Sequence, residues 1–222
     1  MVVYKTHATS LIVGIRSLRK TAEFSDLTIT CGGDTYRVHK AIICPQSQWF
    51  STACEYNGIM DRPSQLEIKT GPGIVEVCVQ PYIIDRMIGF LYGDTDYAYA
   101  PSSTTNNILI MARLSIAAHQ YEIQSLKDDI IERLTDDMLK KELKTGADFV
   151  AVLNCLHAKH TLFPDPFEER ILWFGQSHRK ACFSEPVMEK FMDSFPSVRK
   201  RVVELSKDGP PPLKRARLHP WV

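Results

Sequence analysis

Three groups of residues have the types and spacing to do chemistry. The stretch NCLHAKH places Cys155, His157 and His160 close together, and on a helix the two histidines are i,i+3 neighbours whose rings can converge on one ion. A zinc site needs two further ligands, and no matching pair lies nearby in the sequence, so no metal centre is expected here. Asp26 with His39 and Lys40 offers a carboxylate, an imidazole and an ammonium on either side of a Gly-Gly turn, the groups of an acid–base pair. The same groups can instead satisfy backbone and side-chain atoms that burial would strand, and with no nucleophile beside them the structural role is the better reading. Ser177 and His178 are adjacent on a helical stretch, so their side chains diverge, and nothing supplies an oxyanion nest. Neither GxGxxG nor GxxxxGK[ST] occurs, which leaves a nucleotide site without support.

Composition narrows the function classes further. The 222 residues carry a formal net charge of +1, so nothing in the overall charge argues for a nucleic-acid partner. Cysteines stand at 31, 44, 54, 78, 155 and 182 with no CxxC and irregular gaps, the pattern of reduced, mostly buried thiols. No run approaches the roughly 18 apolar residues of a membrane helix. The longest candidate, residues 74–84, is broken by Glu76, Gln80 and Pro81. The first twenty residues lack the layout of a signal peptide, and the expectation is an intracellular protein without cofactor, small-molecule substrate or membrane partner.

The elements that must position these residues follow from periodicity. Ser10 to Ala22 is expected to form a first helix, with Ser10 as N-cap and Leu11, Ile15, Leu18 and Ala22 as its apolar stripe. Leu27, Ile29 and Cys31 alternate with Thr28 and Thr30, Gly32-Gly33 supplies a tight turn, and Tyr36 and Val38 alternate with Arg37 and His39: a hairpin. A short helix from Lys40 to Pro45 and a second from Ser47 carry Trp49, Phe50, Ala53 and Cys54 along one side, and Asn57-Gly58 stops them. Residues 66–69 alternate as a strand. The stretch from Gly71 to Gln80 reads as an extra strand or an apolar loop. Ile83, Ile84, Met87, Ile88 and Leu91 then mark a helix closed by Gly93. Residues 108–118 mark a helix buried on most sides, and Ile123, Leu126, Ile130 and Leu134 a third. Beyond these the chain reads as all-helical. Asp165-Pro166 opens a helix with Phe167, Ile171 and Phe174 inward, and Ser184-Glu185-Pro186 opens another with Val187, Phe191 and Phe195 inward. The Pro-rich, cationic end, residues 206–222, cannot form a packed element.

Several separated matches give the chain a family resemblance. Asp26-Leu27, His39-Lys40, Pro45, Ser47 and Phe50 fall in the order and spacing of the BTB/POZ domain, in wording nearest to its fungal branch. Leu91-Tyr92-Gly93-Asp94 with Tyr97 resembles that family's LYTGDY signature, and Ala118, Tyr121, Ile123 and Leu126 resemble its later ADKY run. The resemblance covers roughly residues 10–135, with 71–80 as an apparent insertion. It implies an α+β fold, a small β-sheet flanked by α-helices, followed by an all-α C-terminal extension over 136–205. Residues 1–9 and 206–222 would be tails.

The family mediates protein–protein association, so the resemblance implies a non-enzymatic interaction module, with a nuclear, transcription-associated dimer that uses its basic tail for import as one alternative and an enzyme on an α+β scaffold as the disfavoured one. Longer members dimerise through the N-terminal helix, which assigns Leu11, Ile15 and Leu18 to a homodimer face. Members that recruit a cullin ubiquitin-ligase scaffold carry a hydrophobic-x-Glu tripeptide after the second core helix. The corresponding residues here are Ile59, Met60 and Asp61, where Asp keeps the charge with one methylene less reach. In the tail, Lys214, Arg215 and Arg217 form a proline-flanked cationic cluster that fits an importin groove, and Arg199-Lys200-Arg201 lies upstream at the distance of a bipartite signal. The alternative is an ordinary solvated basic tail. The expected location is nucleus, cytoplasm or both.

Overall fold

Gly32 and Gly33, at φ 56° and 93°, turn the chain tightly enough to lay residues 34–38 back along residues 27–31. This hairpin is the start of the sheet in the computed structural model, which describes residues 3–56, 64–68, 80–99, 106–157 and 166–208. Strand β1 (Leu27–Cys31) pairs antiparallel with β2 (Asp34–Val38) and parallel with β3 (Ser64–Ile68), giving the order β2-β1-β3. Ile29 is the registration point, opposite Tyr36 on one side and Leu66 on the other. The central strand is the one with strict alternation. Leu27, Ile29 and Cys31 are buried while Thr28 and Thr30 are half-exposed, and on the β2 edge only Val38 is fully buried.

A parallel partner cannot follow from a hairpin, and the crossover from β2 to β3 runs through helices. These are α2 (Lys40–Ile43), a 3₁₀ turn at Cys44–Gln46 and α3 (Gln48–Tyr56). Then come α4 (Pro81–Leu91), α5 (Asn107–Gln120), α6 (Gln124–Arg133), α7 (Asp136–Glu142), α8 (Gly146–His157), α9 (Pro166–His178), α10 (Lys180–Phe183), α11 (Pro186–Ser194) and α12 (Pro196–Asp208), after an N-terminal α1 (Val3–Thr21). The described residues divide into two compact units. One comprises residues up to Tyr99 together with 114–128; the other comprises 106–113 and 129–208.

In the first unit the apolar periodicity of α4 is realised, with Ile83, Ile84, Met87, Ile88 and Leu91 all buried. Pro81 occupies the first turn of α4, where its missing N–H costs nothing. Helix α5 is buried on most of its circumference, as its run of apolar residues requires. Between α1 and β1 the chain turns through left-handed backbone at Ala22 (φ 55°) and Phe24 (φ 60°), and the Phe24 ring is exposed.

Three expectations are corrected. Helix α1 reaches back to Val3, so Ser10 is an interior residue and not its cap, and residues 3–9 are helical instead of a tail. Helix α7 falls within the stretch expected to be helical, and its sequence, DDMLKKE, buries only Leu139. Its start is chemical: the Thr135 hydroxyl accepts the Met138 N–H at 3.3 Å. Helix α12 was hidden in a cationic run, yet Val198, Val202 and Leu205 repeat at helical spacing and are buried, and the helix continues to Asp208, past the expected start of the tail. In α11 the inward residues are Met188, Phe191 and Met192, while Val187 is 40% exposed. The apparent insertion at 71–79, with Cys78, lies outside the described residues.

The second unit is held by aromatic packing and one buried cation. Helix α12 packs on α9, and α11 packs on α8. Arg170, buried on α9, donates from Nη2 to the Asp136 carboxylate at 2.5 Å and from Nε to the Leu134 carbonyl at 3.3 Å, with its guanidinium 5.1 Å from the Trp173 ring. Phe149 and Phe183 meet edge-on at 5.3 Å beside Gly175. A Cβ on Gly175 would overlap the Phe183 ring and lie 2.9 Å from Phe149 Cε1. Gly175→Ala should therefore lower the stability of this unit by about 2 kcal/mol or more through overpacking. Urea unfolding followed by circular dichroism reads the shift; a wild-type midpoint would contradict this packing.

Candidate functional site

The candidate acid–base residues are brought together, but as a polar hub and not as a reaction centre. His39 ends β2 in extended backbone (φ −116°, ψ 121°) and is buried. Its backbone N–H donates to the Tyr92 hydroxyl oxygen at 2.9 Å. Its ring Nδ1 lies 2.6 Å from the same hydroxyl, and its Nε2 lies 2.6 Å from the Glu23 carbonyl oxygen. Glu23 offers only an acceptor, which places the proton on Nε2 and leaves Nδ1 to accept from the Tyr92 O–H. Both ring nitrogens are thereby used, and neither is free for a substrate. Asp26 Oδ1 accepts the Lys40 N–H at 2.8 Å, so its carboxylate caps the first turn of α2.

The other family-signature residues extend the hub. Pro45 sits in the first turn of the 3₁₀ segment, and the neighbouring Gln46 donates from Nε2 to the Leu91 carbonyl at 2.9 Å, satisfying the end of α4. Ser47 accepts the Phe50 N–H at 3.1 Å, capping α3, and donates its hydroxyl to the Tyr121 carbonyl at 2.5 Å. Phe50 then stacks on the Tyr121 ring at 5.6 Å, and half-buried Trp49 meets that ring edge-on at 5.0 Å, so both are core contacts. Gly93 at φ 83° turns the chain out of α4, and buried Tyr97 packs edge-on against Phe90 at 5.0 Å.

Two residues not singled out from the sequence fasten α1 to this hub. Arg16 donates from Nε to the Gly93 carbonyl at 2.9 Å, and Arg19 donates from Nη2 to both the Asp85 carbonyl and the Asp85 carboxylate at 2.8 Å. Arg19 also pairs through Nη1 with Asp94. The signal was present as two arginines at i,i+3 facing the acidic end of the Gly93-Asp94 turn, but charge spacing on a helix has many solvated explanations.

With Arg16 and Arg19 turned inward, the expected stripe divides. Leu11 is 65% exposed while Ile15 and Leu18 are half-buried, and Ile12 and Val13 add 39% and 59% exposed side chains on the same turn as Leu11. Ile59, Met60 and Asp61 lie outside the described residues, as do Lys214, Arg215 and Arg217. Of the metal candidates, His157 Nε2 meets Glu168 Oε1 at 2.9 Å, Cys155 is buried, and His160 lies outside the described residues. Ser177 and His178 are exposed, with the His178 ring stacked on Phe174 at 4.9 Å.

The hub, the three-stranded sheet and the helical order around it define a protein-interaction fold. The chain belongs to the BTB/POZ family: the family's model matches residues 15–137, more than half of its length. Domains of this family are protein–protein interaction modules that commonly self-associate. No curated protein matches the sequence at a significant level.

Burial pushes the Tyr92 hydroxyl up to about 12. A raised pKa means that the folded state holds this proton more tightly than the unfolded chain. The associated stability is therefore complete below about pH 10 and is lost as pH rises towards 12. Tyr36, raised by burial and by Asp34, acts in the same direction. Tyr92→Phe should cost about 2 kcal/mol at neutral pH, since it strands the His39 N–H and Nδ1, and should flatten the alkaline loss. Urea titrations at pH 7 and at pH 11 measure both effects, and unchanged stability at pH 7 would remove the hub from its structural role.

Proposed function

We propose that the chain works by association, pairing with a second copy through α1. The observation that carries this reading is the exposed Leu11, on one stripe with half-buried Ile15 and Leu18, on a helix fastened along a neighbouring face by Arg16 and Arg19. A helix held in place with apolar side chains in water gains on contact what burial returns, about 25 cal/mol per Å². A two-fold axis would let the same stripe serve both partners. On this reading residues 10–135 are the interaction domain and 136–205 a helical extension that adds a second surface. Sedimentation equilibrium should show a dimer that Leu11→Asp weakens by about tenfold or more. A wild-type chain that is monomeric throughout the micromolar range would overturn the model.

Two further roles extend this dimer. Ile59, Met60 and Asp61 follow α3 directly and carry the apolar and acidic character of a cullin-binding tripeptide, so the protein is proposed as an adaptor in a ubiquitin ligase. Affinity purification should recover a cullin with the wild type and lose it on Asp61→Lys; recovery by both proteins rules out this contact. In the nucleus, the tail cations Lys214, Arg215 and Arg217 would serve for import by importin. The upstream half of a bipartite signal is not offered in the extended form an importin groove takes. Arg199 lies in α12 paired with Glu189 at 3.0 Å and Asp193 at 2.7 Å, and Arg201 is paired with Glu169. Import therefore rests on the tail cluster alone, and removal of residues 210–222 should abolish nuclear accumulation of a fluorescent fusion.

A further inference from the structure

Among the described residues from Arg133 onward, four arginines meet carboxylates and one does not. Arg133 pairs with Asp129, Arg170 with Asp136, Arg199 with Glu189 and Asp193, and Arg201 with Glu169 and Glu204. Arg179 is the exception: its Nη2 donates to the Lys140 carbonyl at 3.3 Å, and its Nε is buried without a hydrogen-bond partner. The Lys140 contact is the first rung of a strip. The Cys182 thiol donates to the Lys144 carbonyl at 3.1 Å, and the Gly146 N–H donates to Glu185 Oε2 at 2.8 Å, so residues 140–146 and 179–185 run side by side.

The strip gathers cations that stand outside any ion pair among the described residues, with Asp148 acting on Lys144 only at longer range. Lys140, Lys141, Lys144 and Lys180 are exposed, and none forms an ion pair among the described residues. Most of the carboxylates around them are committed to hydrogen bonds. Asp148 accepts the N–H groups of Lys144 at 2.9 Å and Thr145 at 2.7 Å, bonds that hold its carboxyl below the ordinary range although burial opposes them. Glu185 takes the Gly146 N–H, and Glu142 Oε1 takes the Asn107 side chain at 2.9 Å; Asp137 is exposed on the first turn of α7. A helix C-terminus favours lysines, which accounts for Lys140 and Lys141 in the last turn of α7. The C-terminus of α9 accounts likewise for Arg179, whose N–H donates to the Gly175 carbonyl at 2.8 Å, but neither helix end accounts for Lys144 and Lys180.

We propose that this strip is a docking surface for an acidic peptide segment of a partner protein. Charge complementarity selects the occupant: consecutive carboxylates can meet ammonium groups on flexible stems. A nucleic acid fits less well, because the two segments expose no aromatic side chain on which a base could stack. The proposal rests on the association reading of the family, but it uses a surface separate from α1.

The test is fluorescence anisotropy of a labelled peptide of ten consecutive glutamates with the full-length chain. Binding should be measurable at about 50 mM salt and should weaken steeply as salt is raised, since exposed charges are screened within a Debye length. Lys140→Glu with Lys144→Glu and Lys180→Glu should weaken it by about tenfold or more. Reversal of three exposed cations elsewhere, Lys20→Glu with Arg37→Glu and Lys190→Glu, should leave it within about twofold of the wild type. If the reversed strip alters the circular dichroism spectrum, the same three positions changed to Gln give the reading without added repulsion. Absence of binding at low salt overturns the proposal, as does an equal loss in the control variant, which would mean attraction to net charge or to the cationic tail. Tighter binding of a single-stranded oligonucleotide of equal charge, lost with the same strip, would reassign the surface to nucleic acid. Sedimentation of the strip variant keeps the readings apart: a dimer that no longer binds the peptide fails neither claim, whereas a monomeric wild type that binds it fails only the α1 reading.

Discussion

Tyr92 is the joint on which the first unit depends. Its hydroxyl takes the backbone N–H of His39 and faces the His39 ring nitrogen, so the end of β2 and the end of α4 are tied by two bonds through one oxygen. Burial leaves those groups no water to turn to, and each bond is therefore worth more in what its loss would strand than in what its formation gains. The geometry also fixes the chemistry. With Nε2 on the Glu23 carbonyl, the imidazole is a strut between three segments, and the carboxylate of Asp26 next to it is spent on the start of α2.

From this joint the outer parts of the unit take their places. Gly93 follows Tyr92 and turns the chain so that its carbonyl and the Asp94 carboxylate face α1, where Arg16 and Arg19 receive them. The consequence is a helix anchored by Arg16 and Arg19, with Ile12 beside Gly93 on the same face, and with Leu11 and Val13 left in water. The ionic fastening lies at least partly exposed, so its contribution is modest and salt-dependent; its larger effect is to orient the helix.

How much of this could be read beforehand depends on the kind of signal each residue gives. The alternation of Leu27, Ile29 and Cys31, the Gly32-Gly33 turn and the stripe of α4 are local patterns, and they reappear in the structure as read. The bounds of α7 and α12 escaped because their sequences are dominated by charge. Leu139 alone, or Val198 and Val202 within RKRVV, is a weak periodic signal until a neighbouring helix supplies something to pack against. Val187 shows the converse: an apolar residue at the start of a helix was read as inward, and Met188, one step of about 100° round the helix, took the buried place.

By itself the sequence determined the hairpin, the core-facing stripes of α4 and α5 and the family signature, because each depends on side-chain period or turn chemistry within a few residues. It also supplied every charged group in the second unit, but not their assignment. That Arg170 would sit buried against Asp136, that Arg199 and Arg201 would be neutralised in α12, and that Arg179 would be left among lysines depended on pairs ten to almost forty residues apart. Only tertiary packing decides such pairs. An ionic contact over that separation leaves no local pattern, and whether a cation is a strut or a free surface follows from which carboxylate the fold brings within reach.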